Sequence, residues 1–115
     1  MYFFFLAEPS SAPNGLTLIS ATSKSLTVSW LGLSADDQNG LIIKYTVYYR
    51  LAGNSSVRMV AARQEETIVT NSSPAKLTGL TPNSDYFISV SASTSAGEGP
   101  VSSEATMKTL EGGKS

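Results

Sequence analysis

The sequence predicts an all-β domain: a sandwich of two antiparallel sheets built from seven short strands. Three observations carry this expectation. Apolar residues recur with period two rather than 3.6 wherever they cluster, as in "LTVSW", "YTVYY" and "YFISVSA". No window of about eleven residues holds an amphipathic helical stripe, and Ser, Thr, Val and Tyr are favoured over the strong helix formers. Turn-forming clusters of Pro, Asn, Asp and Gly divide the chain at fairly even spacing, the rhythm of a sandwich. With 115 residues and 41% apolar composition there is material for one domain and one core.

The elements follow in order. "MYFFFLA" opens the chain, far short of the roughly 20 residues that span a bilayer and without the basic n-region of a signal peptide. Residues 1–8 therefore read as an N-terminal extension, either an expression scar or a fragment of upstream sequence, with a hydrophobic strand or partner-binding segment as the alternative. "PNG" at 13–15 turns the chain into a first strand at 15–21. The second, at 24–31, places Leu26, Val28 and Trp30 on one face, which makes the lone Trp a core residue rather than a ligand anchor. "DDQNG" at 36–40 separates it from a third strand at 42–50, where Tyr45, Val47 and Tyr49 point inward and Tyr48 outward.

"AGNSS" at 52–56 leads to a fourth strand at 57–62 and a fifth at 66–78, a segment with several turn-forming positions. "TPNSD" at 81–85 precedes the sixth, at 84–93, with Tyr86, Ile88, Val90 and Ala92 on one face and Phe87, Ser89 and Ser91 on the other. The seventh runs over 103–109. The domain is expected to span 9–110, with 111–115 as a linker or tail.

Composition excludes most chemistry. There is no Cys and no His, which removes thiol nucleophiles, thiolate ligands, the usual general base and the commonest nitrogen ligand for zinc. Carboxylates remain as the acid–base candidates, and no pair falls on one strand face at a useful spacing. The expectation is a chain that is not an enzyme, with no cofactor and no small-molecule substrate. The net charge is −1 at pH 7 and the eight Lys and Arg are scattered, so neither nucleic acid nor an anionic membrane is an expected partner. "DDQNG" could offer oxygen ligands to calcium, but Ala35 stands where the first ligand of the loop pattern belongs, so no metal site is assigned.

"SLTVSW", "GLIIKYTVYYR" and "LTGLTPNSDYFISVSASTSAGEGPVS" resemble the second strand, the third strand, and the corner through to the last hairpin loop of a fibronectin type III domain. The resemblance covers about residues 9–110 and implies an immunoglobulin-like sandwich with Trp30 packed between the sheets. Its most specific part is Leu80, Pro82 and Tyr86, which match the tyrosine corner, where the Tyr hydroxyl reaches an upstream backbone group. It further implies a non-enzymatic protein-interaction and spacer module of a cell-adhesion or receptor protein, extracellular or secreted, touching membrane only through its parent chain. Two alternatives keep the fold: an intracellular module of a muscle-type scaffold, and a linker module of a secreted carbohydrate-active enzyme.

Three sets of residues are candidates for contact or modification. Asn54 and Asn71 each begin an "NSS" acceptor for N-linked glycan. Tyr48 and Phe87 are expected as neighbouring aromatics on the outer face of one sheet, a surface for protein partners that include adjacent domains. Glu98 tips the "STSAGEGPVS" loop. That loop joins strand to strand, so it cannot cradle a phosphate at a helix N-terminus, and it lacks the Arg-Gly-Asp that the family can carry there. Gly97 and Gly99 are expected to supply positive φ, with Pro100 ending strand pairing beyond them.

Overall fold

The computed structural model describes residues 7–33, 41–52 and 65–112. Among these residues it contains strands and no helix: β1 (Asn14–Ala21), β2 (Leu26–Leu31), β3 (Lys44–Leu51), β4 (Glu66–Thr70), β5 (Ala75–Leu77), β6 (Asp85–Thr94), β7 (Gly97–Glu98) and β8 (Ala105–Lys108). Two antiparallel sheets result. The smaller has the order β1-β2-β5; the larger has the order β4-β3-β6, with β7 and β8 both paired to the far side of β6.

The period-two pattern does what elementary geometry requires. Alternate residues of β2, β3 and β6 point between the sheets and bury Leu26, Val28, Trp30, Val47, Tyr49, Tyr86, Ile88 and Val90. Ala75 and Leu77 of β5 and Met107 of β8 close the layer. Each fully buried aliphatic side chain contributes about 1.5–3 kcal/mol relative to exposure, so these few positions hold the sheets together. Trp30 packs on Tyr45, with ring centroids 5.3 Å apart and planes tilted by 59°. Its indole N–H has no hydrogen-bond partner among the described residues.

The corner before β6 is bonded from both sides. The Tyr86 hydroxyl oxygen accepts the Thr81 amide at 2.8 Å, while the Tyr86 ring stays buried. Leu80 is buried beside it, and its amide donates to the Lys24 carbonyl at 3.0 Å. Asn83 takes φ 52°, and the Ser84 hydroxyl donates to the Pro82 carbonyl at 2.8 Å, so the turn closes on itself. Thr109, which sequence periodicity does not single out, is 2% exposed. Its hydroxyl donates to the Thr81 carbonyl at 2.7 Å and accepts the Ser84 amide at 3.0 Å.

Two expected elements are corrected. The single strand at 66–78 is two strands in different sheets: β4 pairs with β3, whereas β5 pairs with β2. The break lies at Asn71 to Pro74. Thr70 and Ser72 bond each other locally, Ser73 Oγ accepts the Trp30 amide at 3.1 Å, and Pro74 has no N–H for a ladder, so the chain crosses to β2 there. The last strand, expected over 103–109, is the shorter β8, and an unexpected two-residue strand, β7, precedes it inside the expected loop. Pro100 interrupts pairing but does not end it, because the Ser102 amide reaches the Val90 carbonyl at 2.9 Å and β8 resumes at Ala105. The fourth strand expected at 57–62 lies outside the described residues, as do "DDQNG" at 36–40, residues 1–6 and residues 113–115.

Candidate functional site: the outer face of the larger sheet

Because Tyr45, Val47 and Tyr49 turn inward, Lys44, Thr46, Tyr48 and Arg50 stand on the outer face of β3. The same parity puts Phe87, Ser89, Ser91 and Ser93 on the outer face of β6. Register then decides who meets whom. Lys44 lies opposite Ser93, Thr46 opposite Ser91, Tyr48 opposite Ser89 and Arg50 opposite Phe87. Tyr48 and Phe87 are thus diagonal neighbours on one face, both half-buried.

Arg50, next after Tyr48 on this face of β3 and directly opposite Phe87, is a residue that alternation alone does not single out. Its guanidinium carbon sits 4.6 Å from the Phe87 ring centroid, and one of its terminal nitrogens donates to Glu104 at 3.1 Å. An exposed pair of this kind contributes only about 0–1 kcal/mol, but it ties down a cation that stands over the ring. Glu98 also joins this face. The Tyr48 hydroxyl and the Ser91 hydroxyl both donate to Glu98 Oε2, which anchors the carboxylate to the sheet floor; Glu98 is not at the tip of the loop as expected but in β7 opposite Ser93, the turn falling at Ser95 and Ala96. The bond to Glu98 is the first cause, and burial the second, that push the Tyr48 phenol above the ordinary tyrosine range. Tyr49, on the inner face, is pushed in the same direction, first by burial and then by the Glu66 charge.

Ser89, Ser91 and Ser93 are buried although they face outward. Neighbouring long side chains cover the short hydroxyls, so the face presents Tyr48, Arg50, Phe87 and Glu98 above a polar floor. Val69 of β4, opposite Thr46, adds an exposed apolar flank.

The hairpin beside this face corrects one glycine. Gly97 has φ 149°, the conformation expected of it, but Gly99 does not have positive φ. Gly99 is required for space instead: a Cβ there would meet the Pro9 carbonyl oxygen at 2.7 Å. The chain leading to β1 lies across the hairpin at this point, with the Ala7 carbonyl accepting the Thr94 hydroxyl at 2.7 Å and Pro9 buried.

Of the two acceptor asparagines, Asn71 is exposed in the turn after β4, and its side-chain amide donates to the Ile43 carbonyl at 3.4 Å. Asn54 lies outside the described residues. Among the described residues no three acidic side chains gather as a metal cluster would.

Comparison with known proteins agrees with this geometry. Residues 11–108 match the family described as "Fibronectin type III domain". The chain is 36% identical over 106 residues to "MAM and fibronectin type III domain-containing protein 1" of Acropora millepora, covering 92% of this chain and 24% of that protein. It is 35% identical over 104 residues to Contactin-2 of Mus musculus, covering 90% of this chain and 10% of that protein. The chain therefore spans a small part of the curated relatives it matches. Among solved structures, the third fibronectin III domain of a human protein superposes with a TM-score of 0.83 at 26% identity, covering 100% of this chain and 93% of that one. The FN5 domain of Drosophila Lar superposes with a TM-score of 0.67 at 25% identity, covering 90% and 99%.

Proposed function

From the premise that the chain belongs to the fibronectin type III family, we propose that it is a non-enzymatic extracellular module of an adhesion or receptor protein. Its role is that of a spacer and a site of protein contact. The observation that carries this reading is the match over about nine-tenths of the chain to modules of a contactin, a neogenin and a receptor-type phosphatase. Those parent proteins are much longer than the chain, and the domain family is generally a non-catalytic one. The absence of Cys and His supports the same reading, because the remaining side chains offer little for catalysis.

The contact surface is the outer face of the larger sheet. Its support is the way Glu98 joins Tyr48 and Phe87, the aromatic pair expected from sequence, on one face, with Arg50 over the Phe87 ring. Aromatic residues and Arg are the types enriched at protein interfaces. Glycan at Asn54 and Asn71 belongs to the same reading.

Secretion of the chain from a eukaryotic line, followed by mass spectrometry of both sequons, tests the compartment. Occupancy of at least one site is expected, and secreted protein bare at both would refute it. Binding of a multimerised module to cells tests the surface: Tyr48→Ser with Phe87→Ser should abolish binding while leaving the melting temperature within a few degrees. Unchanged binding would remove that face from consideration.

A further inference from the structure

Two aromatic side chains stand on the outer face, each accompanied by a carboxylate, and one of the two pairs already holds a cation. Phe87 carries the Arg50 guanidinium over its ring at 4.6 Å, and Arg50 in turn reaches Glu104 at 3.1 Å. Tyr48 touches Glu98 through its hydroxyl. Among the described residues no cation stands over the Tyr48 ring and none forms an ion pair with Glu98.

The remaining charges of the face leave this second pair acidic. Asp85 of β6 and Lys108 of β8 lie directly opposite each other at the far end of the sheet. Lys44 shares a row with Ser93 and Glu98, but at the backbone it is two strands and roughly 10 Å from Glu98. Glu65, just before β4, brings a further negative charge near Tyr48, pushing its phenol in the direction that the Glu98 bond and burial already push it.

Glu98 is also held ready. It is exposed, its Oε2 accepts both the Tyr48 and the Ser91 hydroxyls, and its Oε1 has no hydrogen bond among the described residues. Two donors on one oxygen fix the carboxylate, so its rotamer freedom is lost on folding rather than on binding, and the second oxygen stays available as an acceptor. A guanidinium suits this arrangement best. Being planar, it covers an aromatic ring and still aims N–H groups from its edge at a carboxylate, as Arg50 does on the same face. We propose that this face takes a basic protein partner, one arginine of which occupies Tyr48 and Glu98 in the way that Arg50 occupies Phe87 and Glu104. The proposal rests on the reading of the outer face as a contact surface, and names the chemistry of its partner.

Titration of the isotope-labelled chain with the end-blocked peptide Gly-Gly-Arg-Gly-Gly tests this through the amide shifts of Tyr48, Ser91 and Glu98. One arginine held in this way should bind with a dissociation constant of about 1–10 mM, and several-fold more weakly at high salt. The lysine counterpart should bind several-fold more weakly and the uncharged citrulline counterpart not measurably. Glu98→Gln should weaken the arginine peptide about tenfold, whereas Lys44→Ala should not weaken it. No shift up to about 50 mM arginine peptide, equal shifts with citrulline, or wild-type affinity in Glu98→Gln overturns the proposal. Cell binding that is lost in Tyr48→Ser with Phe87→Ser but complete in Glu98→Gln overturns it as well, and leaves the contact face standing with a partner of other chemistry.

Discussion

Replacing Tyr86 by Phe removes one oxygen and leaves the ring in place, so it isolates the hydroxyl of the corner. In the folded chain that oxygen is the acceptor for the Thr81 amide at 2.8 Å. Its loss strands a part-buried donor, a penalty of about 1–3 kcal/mol; with Thr81 itself exposed, about 2 kcal/mol is the expected value. At roughly 4 °C per kcal/mol for a domain of this size, the melting temperature falls by about 8 °C. Thr109→Val is its counterpart, since the Thr109 hydroxyl serves the Thr81 carbonyl and the Ser84 amide at once. Stranding two groups instead of one should cost more, about 3 kcal/mol. Both substitutions release Thr81, so the double variant should lose less than the sum by at least about 0.5 kcal/mol. Urea unfolding measures all three, with the midpoint moving and the slope constant. Losses below about 0.5 kcal/mol at both single sites would show that water replaces these bonds freely, and the reasoning about the corner would be wrong.

Two further outcomes follow from the hairpin and the outer face. Gly99→Ala drives a methyl group into the Pro9 carbonyl, so it should displace the Ala7 to Pro9 segment at a cost of about 1–3 kcal/mol; faster proteolysis near Pro9 reads the displacement, and an unchanged cleavage rate would refute it. The phenols of Tyr48 and Tyr49 are both raised in the folded chain, so their stabilisation is complete below the unfolded value of about 10 and is lost as pH climbs through the higher folded values. Unfolding midpoints measured from neutral to strongly alkaline pH should fall above about pH 10, and less steeply in Tyr48→Phe. An identical pH profile in the two chains would contradict this.

What can be read from the sequence follows the reach of its periodicity. β2, β3 and β6 alternate cleanly over five or more residues, so the inward set from Leu26 to Ala92 is legible from alternation alone. The corner is legible because Leu80, Pro82 and Tyr86 sit close together in the chain. β5 is not, because three residues carry too little pattern to mark a change of sheet. Thr109 escapes for a different reason: its hydroxyl meets groups 25 and 28 residues away, and no local signal distinguishes it from any other Thr near a strand end. The outer face is legible as aromatics and hidden as charges. Alternation shows which way Tyr48 and Phe87 point, but the meeting of Arg50 with Phe87 and of Glu98 with Tyr48 depends on register across three strands. Gly99 shows the same limit, since glycine for φ and glycine for space look alike in a sequence.

The anchoring of the chain at its two margins has a geometric result. Ala7 is tied at the Thr94 end of β6, whereas Thr109 and Leu110 are tied at the other end, beside Ser84 and Asn83. β6 is ten residues long, so the two ties are separated by roughly 33 Å along the strand direction. Sequence continuing past both ties departs from opposite poles, as cord leaves a bead. The flank bearing Tyr48, Arg50, Phe87 and Glu98 runs parallel to that cord. Beads strung above and below would leave it uncovered, open to whatever approaches from the side.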